Sequence, residues 1–227
     1  MHAANRLATY EDLLALPEGT RGEVIAGVVV APPSPLPKHG RAQGVVGRII
    51  GGPFDYDDGR GGPGGWWILP EVDVRFTRHD IVKPDLSGWR RERLAEPWEV
   101  RPIDVAPDWV CESLSPPYAA DDRVRKRRLY AEHGVAFYWL LDPGARTVEA
   151  LRLDPASKAW IEVGSYDDAS VARVAPFEAV EIEVTRFFPP LAPGAEREPG
   201  AEREPGAERE PAAEDEDELA SGGSRPG

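Results

Sequence analysis

Asp108-Trp109-Val110-Cys111-Glu112-Ser113-Leu114 reads as a strand of β-forming residues that carries one acid in its middle. Side chains alternate faces along a strand, so Glu112 shares a face with Val110 and Leu114, while Trp109, Cys111 and Ser113 point the other way. A glutamate between apolar neighbours is uncommon in a core strand. Ser115-Pro116-Pro117 then stops the strand, because proline cannot donate to a ladder.

Upstream, Ile81-Val82-Lys83-Pro84-Asp85-Leu86-Ser87 reads as a second short strand. Downstream, Ala119 to His133 reads as a helix, with Asp121 or Asp122 near its N-terminus and Gly134 just past its end. Helical spacing puts Asp122, Lys126, Leu129, Tyr130 and His133 on one side. Lys126 therefore leans inward, beside a leucine and an aromatic ring. Two carboxylates and a lysine supported in this way suit hydrolysis of a phosphodiester, which is anionic and resists attack. Asp85 and Glu112 offer hard oxygen ligands for magnesium or manganese, and the backbone carbonyl of Ser113 can complete the set. Each residue alone also has a plainer reading. Asp85 can be a turn residue after proline, Glu112 half of a structural ion pair, and Lys126 a surface cation.

The ordered set resembles the restriction-endonuclease-like superfamily, whose signature is Pro-Asp, a variable gap, then Asp/Glu-x-Lys. Within it the chain is most similar to the bacterial Uma-two family, from about Thr9 to Pro190. The likeness rests on Thr9-Tyr10-Glu11-Asp12-Leu13-Leu14-Ala15-Leu16-Pro17, Gly22-Glu23-Val24-Ile25-Ala26-Gly27, His39, Pro84-Asp85 and Glu112-Ser113-Leu114-Ser115-Pro116. Asp122, Lys126 and Tyr130 at four-residue spacing follow, then Gly134 to Pro143. The resemblance implies a metal-dependent endonuclease with Asp85, Glu112 and Lys126 as catalytic residues. Glu23, His39, Asp122 and Tyr130 match positions around that site as auxiliaries. Two departures stand out. The superfamily's lysine two residues after the acid is Leu114, so its role passes to Lys126; the acid expected after Gly27 is Val28.

A chain of 227 residues, 41% hydrophobic and with seven tryptophans, can bury one good core. No stretch approaches the roughly 20 apolar residues that span a bilayer, and no apolar leader is visible, so a cytoplasmic location is expected. The single cysteine, Cys111, excludes an intramolecular disulfide and reads as a small buried apolar residue. After Pro193 the composition changes. Gly-Ala-Glu-Arg-Glu-Pro occurs three times from Gly194 to Pro211, and Glu214 to Glu218 is an unbroken acidic run. That segment, 194–227, is expected to be a disordered acidic tail appended to a nuclease domain at 1–193. Its 11 acids and 4 arginines give −7 of the total −13, which leaves about −6 on the body. Binding to nucleic acid normally relies on positive charge. The local basic cluster Arg123, Arg125, Arg127 and Arg128, beside Lys126, is the expected contact with DNA, and Arg90, Arg91 and Arg93 form a second group. A solvated helix face is the alternative.

The rest of the body reads as an α/β unit with a mixed sheet. Thr9 caps a short helix ending at Pro17, Gly22 to Ala31 forms a hairpin around Gly27, and His39 to Ile50 forms a helix. Pro53 to Gly65 is a glycine-rich connection without the Gly-Lys-Ser/Thr of a phosphate-binding loop. Trp66 to Phe76 and Ile81 to Trp89 make a hairpin, and Glu71 and Asp73 on it are expected to face solvent. Val135 to Leu141 follows the second helix, and Arg146 to Leu153, Ala159 to Gly164 and Ala179 to Thr185 extend the sheet as antiparallel strands. The order helix, three strands, helix, strand is that of a restriction-endonuclease-like core. Expected partners are DNA as substrate and, left open, a second copy of the chain in a homodimer; no membrane is expected. Two further readings remain: a non-catalytic module on the same scaffold binding nucleic acid or protein, and a glycosidase using the acid pair. Lys126 argues against the latter, since a cation keeps both acids ionised.

Overall fold

The computed structural model describes residues 6–56, 62–114 and 122–191. The expected acidic tail, and the stretch in which the strand stop at Ser115 and the helix start near Ala119 were expected, lie outside them. Helix α1 (Tyr10–Leu14) begins after Thr9, whose N–H donates to Asp12 Oδ2 at 2.8 Å. It ends short of Pro17. Strands β1 (Glu23–Ile25) and β2 (Val28–Val30) form the expected hairpin. Ala26 and Gly27 take φ of 51° and 74°, the paired positive values that a tight two-residue hairpin turn requires.

Helix α2 (Pro37–Phe54) is longer than the span His39 to Ile50. Proline is pre-set for a first helical turn, and Ala42, Val45, Val46, Ile50 and Phe54 fall on one buried stripe. That packing outweighs the poor helix propensity of its glycines.

The expected long hairpin breaks into β3 (Trp66–Pro70), β4 (Val74–Thr77), β5 (Asp80–Val82) and β6 (Leu86–Arg90). Strand β4 pairs with β5 in a four-stranded sheet ordered β2-β1-β5-β4, whereas β3 pairs with β6 in a second, larger sheet. The chain changes sheet at Glu71, with φ of 49°, and at Pro84, which has no N–H to give. Asp85 sits at this corner. Asp73 is buried here, contrary to the expectation of a solvent-facing acid. Its carboxylate accepts from Tyr10 Oη at 2.9 Å and Arg101 Nε at 2.9 Å, and Lys83 Nζ stands 3.2 Å away.

The larger sheet continues through β7 (Trp109–Ser113), β8 (Phe137–Asp142), β9 (Thr147–Leu153) and β10 (Trp160–Asp167), in the order β10-β9-β8-β7-β6-β3. Among the described strands of this sheet only β7 and β8 run parallel, and the crossover between them contains a π-helical turn, Asp122–Lys126, running into α3 (Arg127–Glu132). Strands β11 (Val171–Ala172) and β12 (Ile182–Glu183) pair with each other apart from this sheet. Ala179 to Thr185 thus does not extend it; most of that segment is a turn and a 3-10 helix, Val184–Phe187, whose apolar side chains fill the core instead.

Strand β7 is buried along its whole length, with a different core on each face. Trp109 and Cys111 join Trp66, Trp139, Phe177 and the stripe of α2. Val110 and Leu114 join Leu129, Tyr130, Tyr138 and Leu140. The alternation read from sequence therefore places Glu112 on the α3 side of the sheet.

Candidate active site

Asp85 and Glu112 meet because of strand register. Leu86 is paired with Cys111, so the next step along the antiparallel ladder sets Asp85 beside Glu112. Both are about 2% exposed. The Ser113 N–H donates to Asp85 Oδ2 at 2.8 Å, and His39 Nε2, from α2, lies 2.9 Å from the same oxygen. Arg21 Nη2 donates to Oδ1 at 2.8 Å. Burial pushes the Asp85 carboxyl up, but His39, the Arg21 guanidinium and the Ser113 N–H outweigh it and hold the group at about 2.

Glu112 is held from the helix side. Lys126 Nζ lies 3.1 Å from Glu112 Oε1, and the Tyr130 hydroxyl donates to that oxygen at 2.7 Å. Lys126 also reaches Glu23 Oε1 at 2.9 Å, and that oxygen accepts the Lys83 N–H at 2.7 Å. Burial, then the Glu112 charge, pushes the Tyr130 phenol well above its usual range, so it stays a donor. The π-helical turn ends on Lys126, which is buried, while Val124 in the same turn is exposed. Wide turns of this kind recur at functional positions.

Six of the expected residues are thus gathered in one place: Asp85, Glu112, Lys126, Glu23, His39 and Tyr130. The side chains of Asp122 and Arg123 lie outside the described residues. Arg125 and Arg128 are exposed, Arg128 paired with Glu132 at 2.7 Å, and Arg127 is half-buried with its carbonyl accepting Trp160 Nε1 at 2.8 Å. The second basic group is engaged elsewhere. Arg90 and Arg91 stack on Trp66 and Trp67 at 4.1 and 3.9 Å, and Arg93 pairs with Asp108. Arg21 and Gln43 were not singled out from sequence. Arg21 bonds Asp85, the Lys83 carbonyl at 2.8 Å and Glu71 at 3.3 Å; Gln43 Nε2 donates to the Asp85 carbonyl at 3.0 Å. The one available signal was the position of Arg21 two residues before Glu23.

Among the described residues no group of three or more His, Cys, Asp or Glu side chains is arranged to ligate a metal. The donors expected from the sequence, the Asp85 and Glu112 carboxylates and the Ser113 carbonyl, are all hard oxygens. That set fits a cation such as magnesium, which keeps several waters and takes one or two carboxylates. No helix among the described residues is long and apolar enough to cross a membrane.

Residues 7–185 match the family described as Uma2, putative restriction endonuclease. Among solved structures, the chain is similar to a putative nuclease belonging to DUF820 from Anabaena variabilis ATCC 29413. The two share 23% identity at a TM-score of 0.58, over 79% of this chain and 96% of that one, a likeness of fold. Among curated proteins none matches.

Proposed function

Because the chain belongs to the Uma2 family of putative restriction endonucleases, we propose that it is a metal-dependent endonuclease hydrolysing DNA phosphodiester bonds. Asp85, Glu112 and the Ser113 carbonyl are the ligands in this reading, and magnesium or manganese is the ion. One observation carries it: Lys126, distant in sequence, is buried against Glu112 at the strand end where Asp85 also lies. A divalent ion, when bound, supplies charge neutralisation and a water acidified toward neutral pH.

The chain's own groups do the rest. Asp85 is ionised at any working pH because His39, Arg21 and Ser113 hold it so. Tyr130 and Lys126 fix the Glu112 carboxylate in one orientation. The Lys126 ammonium stands beside the acids, where it stabilises negative charge growing on the phosphate and favours deprotonation of the attacking water. In this reading Arg123, Arg125, Arg127 and Arg128 are the contacts with the DNA backbone, four positive charges close together in the sequence of an acidic body. Purified protein with magnesium or manganese is expected to nick supercoiled plasmid, and Glu112→Gln to be silent. Equal nicking by that variant removes the assignment.

A second reading, a non-catalytic module binding nucleic acid or protein, draws on the protein donors that already engage both Asp85 oxygens. Calorimetric titration with manganese separates the two. Uptake that disappears in Asp85→Ala favours the enzyme; no uptake by the wild type favours the module.

A further inference from the structure

A cation approaching Asp85 competes with the protein donors already on its oxygens, and most directly with the positive charge of any guanidinium held there. Oδ2 is held by the N–H of Ser113, fixed at the end of β7, and by His39, whose side chain is only 9% exposed on a long packed helix. Oδ1 is held by Arg21. That side chain is 20% exposed against 2% for Asp85 and comes from the irregular segment before β1, so it is the partner with a route outward. It also has other acceptors in reach: the Lys83 carbonyl and the carboxylate of Glu71, which is 43% exposed. A guanidinium freed beside two carboxylates is a planar fork of donors matched to phosphate oxygens.

We propose that Arg21 is an exchange arm: it holds Asp85 while the carboxylates lack a cation, and moves to a phosphate of the nucleic-acid substrate when a divalent ion claims Asp85. The inference rests on the nuclease reading of the same site. It makes ion and phosphate mutually reinforcing ligands, since each relieves the arm of its other partner.

The test uses the full chain. Manganese affinity is measured by calorimetry without DNA, and affinity for a labelled DNA duplex by fluorescence anisotropy, with calcium and with no divalent ion. Arg21→Gln removes the competitor for Asp85, so manganese binds about tenfold more tightly, while duplex affinity with calcium falls about tenfold. The slope of log affinity against log salt drops by about one phosphate contact with calcium and stays unchanged without it. A purely structural arginine does not give these opposite signs. Arg21→Lys, which keeps the charge and loses the fork, falls between the two in both measurements and carries the test if the glutamine variant fails to fold. Manganese affinity in the folded variant equal to or below wild type overturns the arm alone. Absence of manganese uptake by the wild type, or uptake that survives Asp85→Ala, overturns the nuclease reading and the arm with it.

Discussion

Lys126 Nζ stands 2.9 Å from Glu23 Oε1, and both side chains are almost wholly buried, 6% and 5% exposed. The contact ties the four-stranded sheet, through β1, to the crossover helix of the larger sheet. Glu112 completes the bridge at 3.1 Å. One ammonium therefore serves two buried carboxylates, and its removal leaves both without their cation.

Lys126→Met is accordingly expected to lower stability by about 3–5 kcal/mol, the cost of stranding a buried charge, as well as to abolish nicking. Adding Glu23→Gln should restore part of the stability, since one buried acid fewer then lacks the ammonium, and none of the activity. Urea unfolding of both variants checks this. Wild-type stability in Lys126→Met would mean that the lysine is not held as the distances imply.

Asp85 makes stability depend on acid. Its carboxyl ionises at about 2 in the folded chain against an ordinary 3.8, so the folded state favours the charged form. The resulting stabilisation is fully present above about pH 4 and disappears as pH falls through 2; its size is on the order of 2 kcal/mol. Unfolding free energies of wild type and Asp85→Asn should converge by that amount between pH 5 and the lowest pH at which both fold. A gap that stays constant over this range contradicts the account.

Tyr130→Phe isolates one hydrogen bond. The ring keeps its edge contacts with Phe76 and Tyr138, at 5.9 and 5.2 Å between centroids, and only the donor to Glu112 is lost. A bond to a charged acceptor is worth about 1.5–3 kcal/mol. The variant should lose stability in that range and nick more slowly than wild type, but faster than Lys126→Met. Undiminished stability in thermal unfolding counts against the bond.

The sequence carried much of this site because strand periodicity and helix spacing are local. Alternation around Cys111 was enough to put Glu112 on the α3 face, and four-residue spacing put Lys126 and Tyr130 on one side of their helix. What stayed hidden depends on long-range register. Nothing near Trp66 or Trp89 announces that one hairpin serves two sheets; the switch at Glu71 and Pro84 becomes visible only when β5 pairs with β1. Burial of Asp73 follows from that switch, because the corner folds Tyr10, Lys83 and Arg101 onto it. Arg21 was missed for the same reason: it lies in an irregular segment, and its partners Asp85 and Glu71 come from another part of the chain.

Phe177 offers a control on the opposite side of β7. Its ring lies 4.7 to 5.6 Å from those of Phe54, Trp66, Trp109 and Trp139 and joins α2 to the sheet. It is fully buried, so Phe177→Ala leaves a cavity that rigid indoles cannot close, and the expected loss is about 3–5 kcal/mol. Yet the ring packs on the Trp109 face, while Glu112 points to the α3 face. Well below its melting temperature the folded variant should therefore bind manganese as tightly as wild type, which calorimetry at low temperature can measure. Lost affinity in a protein still folded by circular dichroism would show that the aromatic layer sets the positions of the carboxylates through the backbone of β7. An unchanged melting temperature would deny the ring its place in the core.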